Sequence, residues 1–202
     1  ETLATLSDGT KIGNPRHLKK YEHRLAREQR RLSRRKGARR GEKPSGRYLK
    51  QRKRVARIHA KIADARTDAL HKVTTMLADE NQVLCMEDLN AKGMMRNCHL
   101  AKAVSDASFG EFARLLEYKC AERGRTLVKV DRFYPSSKTC SGCGHRLDAL
   151  PLSVRSWDCP SCGVHHDRDV NAAKNILAEG KRIFSNTEGT AGHAGTVAAT
   201  VA

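Results

Sequence analysis

The chain has 202 residues, enough for one compact core with an inserted module or for two small domains, and a formal net charge of +17. No apolar run approaches a membrane span and no signal peptide is visible. Lys and Arg crowd between Lys11 and Lys72 while the remainder is close to neutral, an asymmetry that implies a polyanionic partner, above all nucleic acid.

Residues 3 to 12 alternate apolar and polar side chains around Asp8-Gly9, a pair suited to a tight turn, and predict a two-stranded hairpin. Pro15 ends that pattern. A helical period follows through Leu18, Tyr21, Leu25, Gln29 and Leu32, and a longer one from Tyr48 through Val55, Ile58, Ile62 and Ala69 to Leu77, with a flexible basic turn over Gly37 to Gly46 between them. The two helices should fold back on each other with a narrow apolar seam. Their outer faces carry Arg24, Arg27, Arg30, Arg31, Arg34, Arg35, Lys50, Lys53, Arg54 and Arg57, the candidate nucleic-acid contacts. A solvated surface is the alternative, but Arg30 with Arg34 and Arg31 with Arg35 place like charges at helical neighbour spacing, a cost that phosphates would relieve. Scarce aromatic residues point to recognition of backbone and shape, as in a duplex or RNA-DNA hybrid, over base stacking.

Gln82 to Met86 reads as a buried strand that ends in Glu87-Asp88, two acids that either hold a metal ion at the strand's end or begin the next turn. Residues 90 to 99 are irregular, and Cys98 beside His99 is too little for a metal site. A helix is expected from about Ser105 to Arg123, burying Phe109, Phe112, Leu115, Leu116 and Cys120 and ending at Gly124, followed by a strand over Thr126 to Val130.

The strongest signal is a pair of Cys-x-x-Cys knuckles, Cys140 with Cys143 and Cys159 with Cys162. Two such turns can close four thiolates around one tetrahedral ion, with Zn²⁺ the default; two disulfides are the alternative. Gly142, Gly144, Pro160 and Gly163 supply the turn chemistry. Four sulfurs leave no open position, so this zinc is structural, and zinc-bound cysteines belong in a reducing compartment. Asp167 and Asp169 follow at the start of a helix marked by Ala172, Ala173, Ile176 and Leu177, with Gly180 as a plausible stop; either acid could cap the helix or act in catalysis. After Phe184 the Gly, Ala, Thr and Val residues form no pattern and read as a disordered tail.

Ser136-Ser137-Lys138-Thr139-Cys140-Ser141-Gly142-Cys143-Gly144, the second knuckle, and Asp167-Arg168-Asp169-Val170-Asn171-Ala172-Ala173 resemble the C-terminal half of the TnpB (OrfB-type) proteins of bacterial and archaeal insertion sequences. Met86-Glu87-Asp88-Leu89-Asn90 and the opening Leu3-Ala4-Thr5-Leu6-Ser7-Asp8-Gly9 extend the resemblance over about residues 1 to 180. It implies an α/β fold with an RNase H-like, RuvC-type sheet, a basic helical hairpin insertion and a zinc ribbon. The expected segments are the strand hairpin at 1–13, the basic hairpin at 14–80, the sheet continued at 81–135, the ribbon at 136–166, the last helix at 167–183 and the tail at 184–202. The implied activity is a transposase-associated, RNA-guided DNA endonuclease in the prokaryotic cytoplasm, near the nucleoid, with DNA and a guide RNA as partners.

Glu87 and Asp169 map onto two carboxylates that bind catalytic Mg²⁺ or Mn²⁺, and Asp88 onto a structural position. The family's third carboxylate lies on a first strand just ahead of the Ala-Thr-Leu-Ser-Asp-Gly hairpin, and this chain starts after it. The resemblance therefore predicts a sheet lacking its first strand, with the neighbouring edges unpaired, and an incomplete metal site. The alternative is a non-catalytic zinc-ribbon protein that binds nucleic acid. A ribosome-associated basic zinc protein would leave the Glu-Asp-Leu-Asn and Asp-x-Asn-Ala-Ala segments unexplained.

Overall fold

The alternation of residues 3 to 12 folds as anticipated into an antiparallel pair, β1 (Thr2–Leu6) and β2 (Lys11–Gly13). Leu6 N–H donates to the Thr10 carbonyl at 2.8 Å, Thr10 N–H donates to Asp8 Oδ1 at 2.8 Å, and Gly9 takes the left-handed φ of 95° that closes the turn. The computed structural model describes residues 2–35, 43–188 and 196–200. Its chain divides into two compact units, Pro15–Lys72 and the remainder, Glu1–Asn14 with Val73–Ala202.

The first unit is a pair of helices, α1 (His17–Ser33) and α2 (Gly46–Glu80) as far as Lys72. Leu25, Val55, Ile58 and Ile62 are buried in their seam, flanked by Leu18, Tyr21 and Leu32, the periodic apolar positions of the sequence. Most of the basic turn expected between the helices lies outside the described residues.

The second unit is built on a mixed five-stranded sheet; with β3 (Val83–Glu87), β4 (Thr126–Val130) and β7 (Thr196–Thr200) its order is β2-β1-β7-β3-β4. Strands β3 and β4 pair in parallel from Val83 beside Thr126 to Glu87 beside Val130. Because β3 is buried on both faces, its sequence is a continuous apolar run that ends in one carboxylate. Between β3 and β4 the chain forms α3 (Ala91–Met94), α4 (Cys98–Ala107) and α5 (Phe109–Glu122). The single helix expected from Ser105 is thus two helices, broken where Ser108 adopts a left-handed φ of 54°. Asn90 and Asn97 cap α3 and α4 with their side-chain oxygens and give the segment expected to be irregular its helical turns.

A two-stranded module, β5 (Ser156–Asp158) with β6 (His165–Asp167), precedes α6 (Arg168–Glu188). Gly180 does not stop α6. Any Cβ at that position would overlap the Cβ and Sγ of Cys85, so glycine instead permits close contact between α6 and β3. Ile176 is fully buried against Val83, Cys85, Val128 and Val130 in the same layer.

The tail expected to be disordered forms the rest of α6 and β7 (Thr196–Thr200); the other tail residues lie outside the described ones. This strand lies inside the sheet, antiparallel to β1 and parallel to β3, with Thr196 beside Val83 and Ala199 beside Met86. The edges of β1 and β3 predicted to be unpaired are therefore bonded to β7. Thr and Val suit an extended chain, and neighbours on both sides satisfy its backbone groups.

Candidate functional site

The two knuckles are local copies of one turn. Cys140 N–H donates to the His145 carbonyl and Gly144 N–H to the Cys140 carbonyl; Cys159 N–H donates to the Val164 carbonyl and Gly163 N–H to the Cys159 carbonyl, at 2.8 to 3.0 Å throughout. Gly144 and Gly163 hold left-handed φ angles of 80° and 74°, which lets each loop return round its sulfurs. The four Sγ atoms lie within 4.8 Å of one another, with Cys140–Cys162 at 3.7 Å and Cys143–Cys159 at 3.6 Å. A tetrahedron with Zn–S bonds near 2.3 Å has S–S edges of about 3.8 Å, so the donor set fits Zn²⁺. All four cysteines are free thiols, not disulfides.

Electrostatics points the same way. Burial opposes ionisation of Cys159, but the backbone N–H groups of Cys162 and Ser161 and the thiols of Cys162 and Cys143 outweigh it and bring the thiol down to about 6. At Cys162 the Val164 N–H favours the thiolate, yet Cys143, burial, Cys159 and Cys140 together push the thiol up to about 12. Cys159 and Cys162 thus shift in opposite directions, as expected of crowded thiols that compete for one negative charge. Sequence reasoning overlooked His166, whose buried Nε2 lies 3.0 Å from Cys140 Sγ and whose ring tilts against Trp157 at 4.8 Å. Burial, then Lys174 and His165, lower its pKa and favour the neutral ring, which can donate an N–H to that sulfur.

Immediately beyond the module lie the two acids of the Asp-Arg-Asp segment. Asp167 caps α6: its Oδ1 accepts the backbone N–H groups of Asp169 at 3.0 Å and Val170 at 3.1 Å. Its Oδ2 pairs with Lys11 Nζ on β2 at 2.7 Å. Burial alone would raise the Asp167 pKa, but Lys11 and the two N–H groups hold it below the usual value. Asp169 is left to line a cavity of about 660 Å³ together with Glu87 at the end of β3. Burial raises the Glu87 pKa. Asp88 turns to Arg132, 2.6 Å away, the structural position expected of it. Among the described residues only the four cysteines form a cluster of three or more metal-binding side chains.

Asn171, marked in the sequence only as part of a motif, and Asn175, which sequence reasoning passed over, join the cysteine module to α6. Asn171 Oδ1 accepts Ser141 N–H at 2.9 Å, and its Nδ2 donates to the Thr139 carbonyl at 2.8 Å. Asn175 Nδ2 reaches the carbonyls of Ser136 at 2.7 Å and Thr139 at 2.6 Å. Both are buried, and both brace the loop that opens the first knuckle. The segment therefore places Asp169 and fastens the metal module with one turn-and-a-half of helix.

On the helical unit, Arg24, Arg27, Arg54 and Arg57 line one groove of about 540 Å³ with Lys61, Ile58 and Glu28. Arg30, Arg34, Lys50 and Lys53 are exposed outside that lining, and Arg35 is half-buried. Arg31 pairs with Glu28 Oε1 at 2.9 Å. Sequence reasoning passed over Glu28, yet it is 6% exposed and accepts Gln51 Nε2 at 2.8 Å; that bond, despite burial, and then Arg31 and Arg27 hold its pKa low. The buried carboxylate anchors α2 to α1 and holds the arginines in place.

A family profile described as "Probable transposase" matches residues 1–98, and one described as "Cas12f1-like, TNB domain" matches residues 109–176. The chain belongs to the TnpB (OrfB-type) family. Among its curated relatives is a protein of Streptomyces pristinaespiralis named "Putative RNA-guided DNA endonuclease", 50% identical over 89% of this chain and 43% of the relative. A protein of Escherichia coli bearing the same description is 34% identical over 91% of this chain and 48% of the relative. This TnpB-family chain thus spans less than half the length of those relatives. Its fold resembles a chain in the cryo-EM structure of a Cas12f1-sgRNA-target DNA complex, with a TM-score of 0.55 and 19% identity over 83% of this chain and 43% of that one. No described helix is long and apolar enough to cross a membrane.

Proposed function

We propose that this chain forms the nuclease portion of an RNA-guided, transposon-encoded DNA endonuclease, with an RNase H-like (RuvC-type) sheet and a zinc ribbon. The observation that carries this reading is that Glu87, from the end of a buried strand, and Asp169, from the first turn of α6, share one cavity although they are far apart in sequence. Sheet order and strand directions support the RuvC-type reading, with β7 in the position between an antiparallel and a parallel neighbour. When bound, Mg²⁺ or Mn²⁺ supplies Lewis acidity and an activated water for phosphodiester hydrolysis. Glu87 and Asp169 hold it. Lys11 and Asp167 fix the start of α6 so that Asp169 keeps its orientation, and Asn171 and Asn175 brace the adjoining ribbon. Cys140, Cys143, Cys159 and Cys162 hold a structural Zn²⁺. The helical unit grips the backbone of DNA or an RNA-DNA hybrid through Arg24, Arg27, Arg54 and Arg57, with Arg30, Arg31, Arg34, Arg35, Lys50 and Lys53 extending the basic surface.

The second reading, a non-catalytic nucleic-acid-binding protein, is favoured by one observation: among the described residues the four cysteines are the one cluster of three or more metal-binding side chains. A nicking assay with Mn²⁺ and guide RNA separates the two. Nicking that vanishes in Asp169→Ala supports the nuclease. Binding of guide RNA and DNA without nicking supports the second reading.

A further inference from the structure

Two large apolar side chains stand in solvent on the walls of the cavity that holds Glu87 and Asp169: Phe133 is 84% exposed and Leu152 80%. Each is presented by a backbone tied in place. Asp131 Oδ1 accepts Phe133 N–H at 2.7 Å, and the Asp131 carbonyl accepts Tyr134 N–H at 3.0 Å. The carbonyls of Pro151 and Val154, on either side of Leu152, accept Arg168 at 3.2 and 3.4 Å. A fixed apolar ledge loses little conformational freedom when it binds. Around it the cavity carries Arg132, Arg146, Arg155 and Arg168; Arg132, Arg146 and Arg155 are exposed, and Arg132 is paired with Asp88.

An apolar ledge ringed by guanidinium groups matches an unpaired nucleobase with its flanking phosphates. A duplex keeps its base faces covered by neighbouring bases and presents only phosphates and groove edges. Resting on the nuclease reading of this cavity, we infer that Phe133, together with Leu152, is a platform on which one base of a single DNA strand stacks as the strand enters, with Arg146 and Arg155 on its phosphates. Phe133 is then a specificity residue that selects single strands over duplex at this cavity, a role distinct from the backbone contacts of the helical unit.

The test uses the zinc-loaded chain without added divalent metal and a single-stranded oligothymidine carrying one 2-aminopurine. Stacking on Phe133 is expected to quench the probe. Phe133→Ala is expected to abolish the quenching and weaken single-strand binding about tenfold, with duplex affinity unchanged and Phe133→Trp restoring both. Equal quenching and affinity in native and Phe133→Ala chains would overturn the platform. Mn²⁺ binding by the same preparations keeps the two ideas apart. Metal held at Glu87 and Asp169 without a Phe133 effect removes the platform alone, whereas no metal binding removes the nuclease reading on which it rests.

Discussion

Glu28 is the residue whose environment makes the sharpest pH prediction. Its pKa is depressed in the folded chain, chiefly by the Gln51 hydrogen bond, so its contribution to stability is present above the ordinary glutamate value of about 4.3 and is lost as pH falls through the lower folded value. Glu28→Gln should lower the urea midpoint at pH 7 and cost less in acid, as the pH falls through the lowered folded value and the native carboxyl loses its charge. Equal loss at pH 7 and in acid would show that its charge is not what anchors α2. Gly180 carries the complementary lesson: a glycine that ends a helix and one that admits a neighbouring side chain are identical in sequence, and only the approach of Cys85 distinguishes them.

Among elements, the cysteine module answers to its four sulfurs. Cys140→Ser should reduce bound zinc from one equivalent to near zero and open β5 and β6 to proteolysis, as read by metal analysis of the purified chain; full zinc retention would contradict the ligand assignment. This module was legible because knuckle spacing and turn glycines are local. So were α1, α2, β3 and β4, where a period of burial runs through consecutive residues. The division between α4 and α5 was hidden, because Ser108 adopts its left-handed angle in a segment whose apolar positions continue across it. The bracing by Asn171 and Asn175 was equally hidden, since their partners are backbone carbonyls more than thirty positions away. β7 escaped notice because a short Thr, Val and Ala segment has no amphipathic signature, and its place is set by the two strands that receive it.

Over the whole molecule, charge and chemistry are segregated: the helical unit carries the basic groove, and the sheet unit carries both candidate metal centres. Replacing Arg24, Arg27, Arg54 and Arg57 by glutamine should weaken nucleic-acid binding and reduce the slope of log affinity against log salt by up to about 3, at roughly 0.7 to 0.9 per phosphate contact. An unchanged slope would remove the groove from the binding surface. Motif resemblance alone singled out Glu87 and Asp169, which line one cavity, whereas physical reasoning left Asp167 and Asp169 equivalent until the cap set Asp167 apart. The most direct test of the account is Mn²⁺ binding to the zinc-loaded chain, followed by electron paramagnetic resonance, in native, Glu87→Gln and Asp169→Asn forms. The account predicts a site in the native chain that either substitution weakens at least tenfold, with zinc content intact. Equal Mn²⁺ binding in all three forms would contradict it.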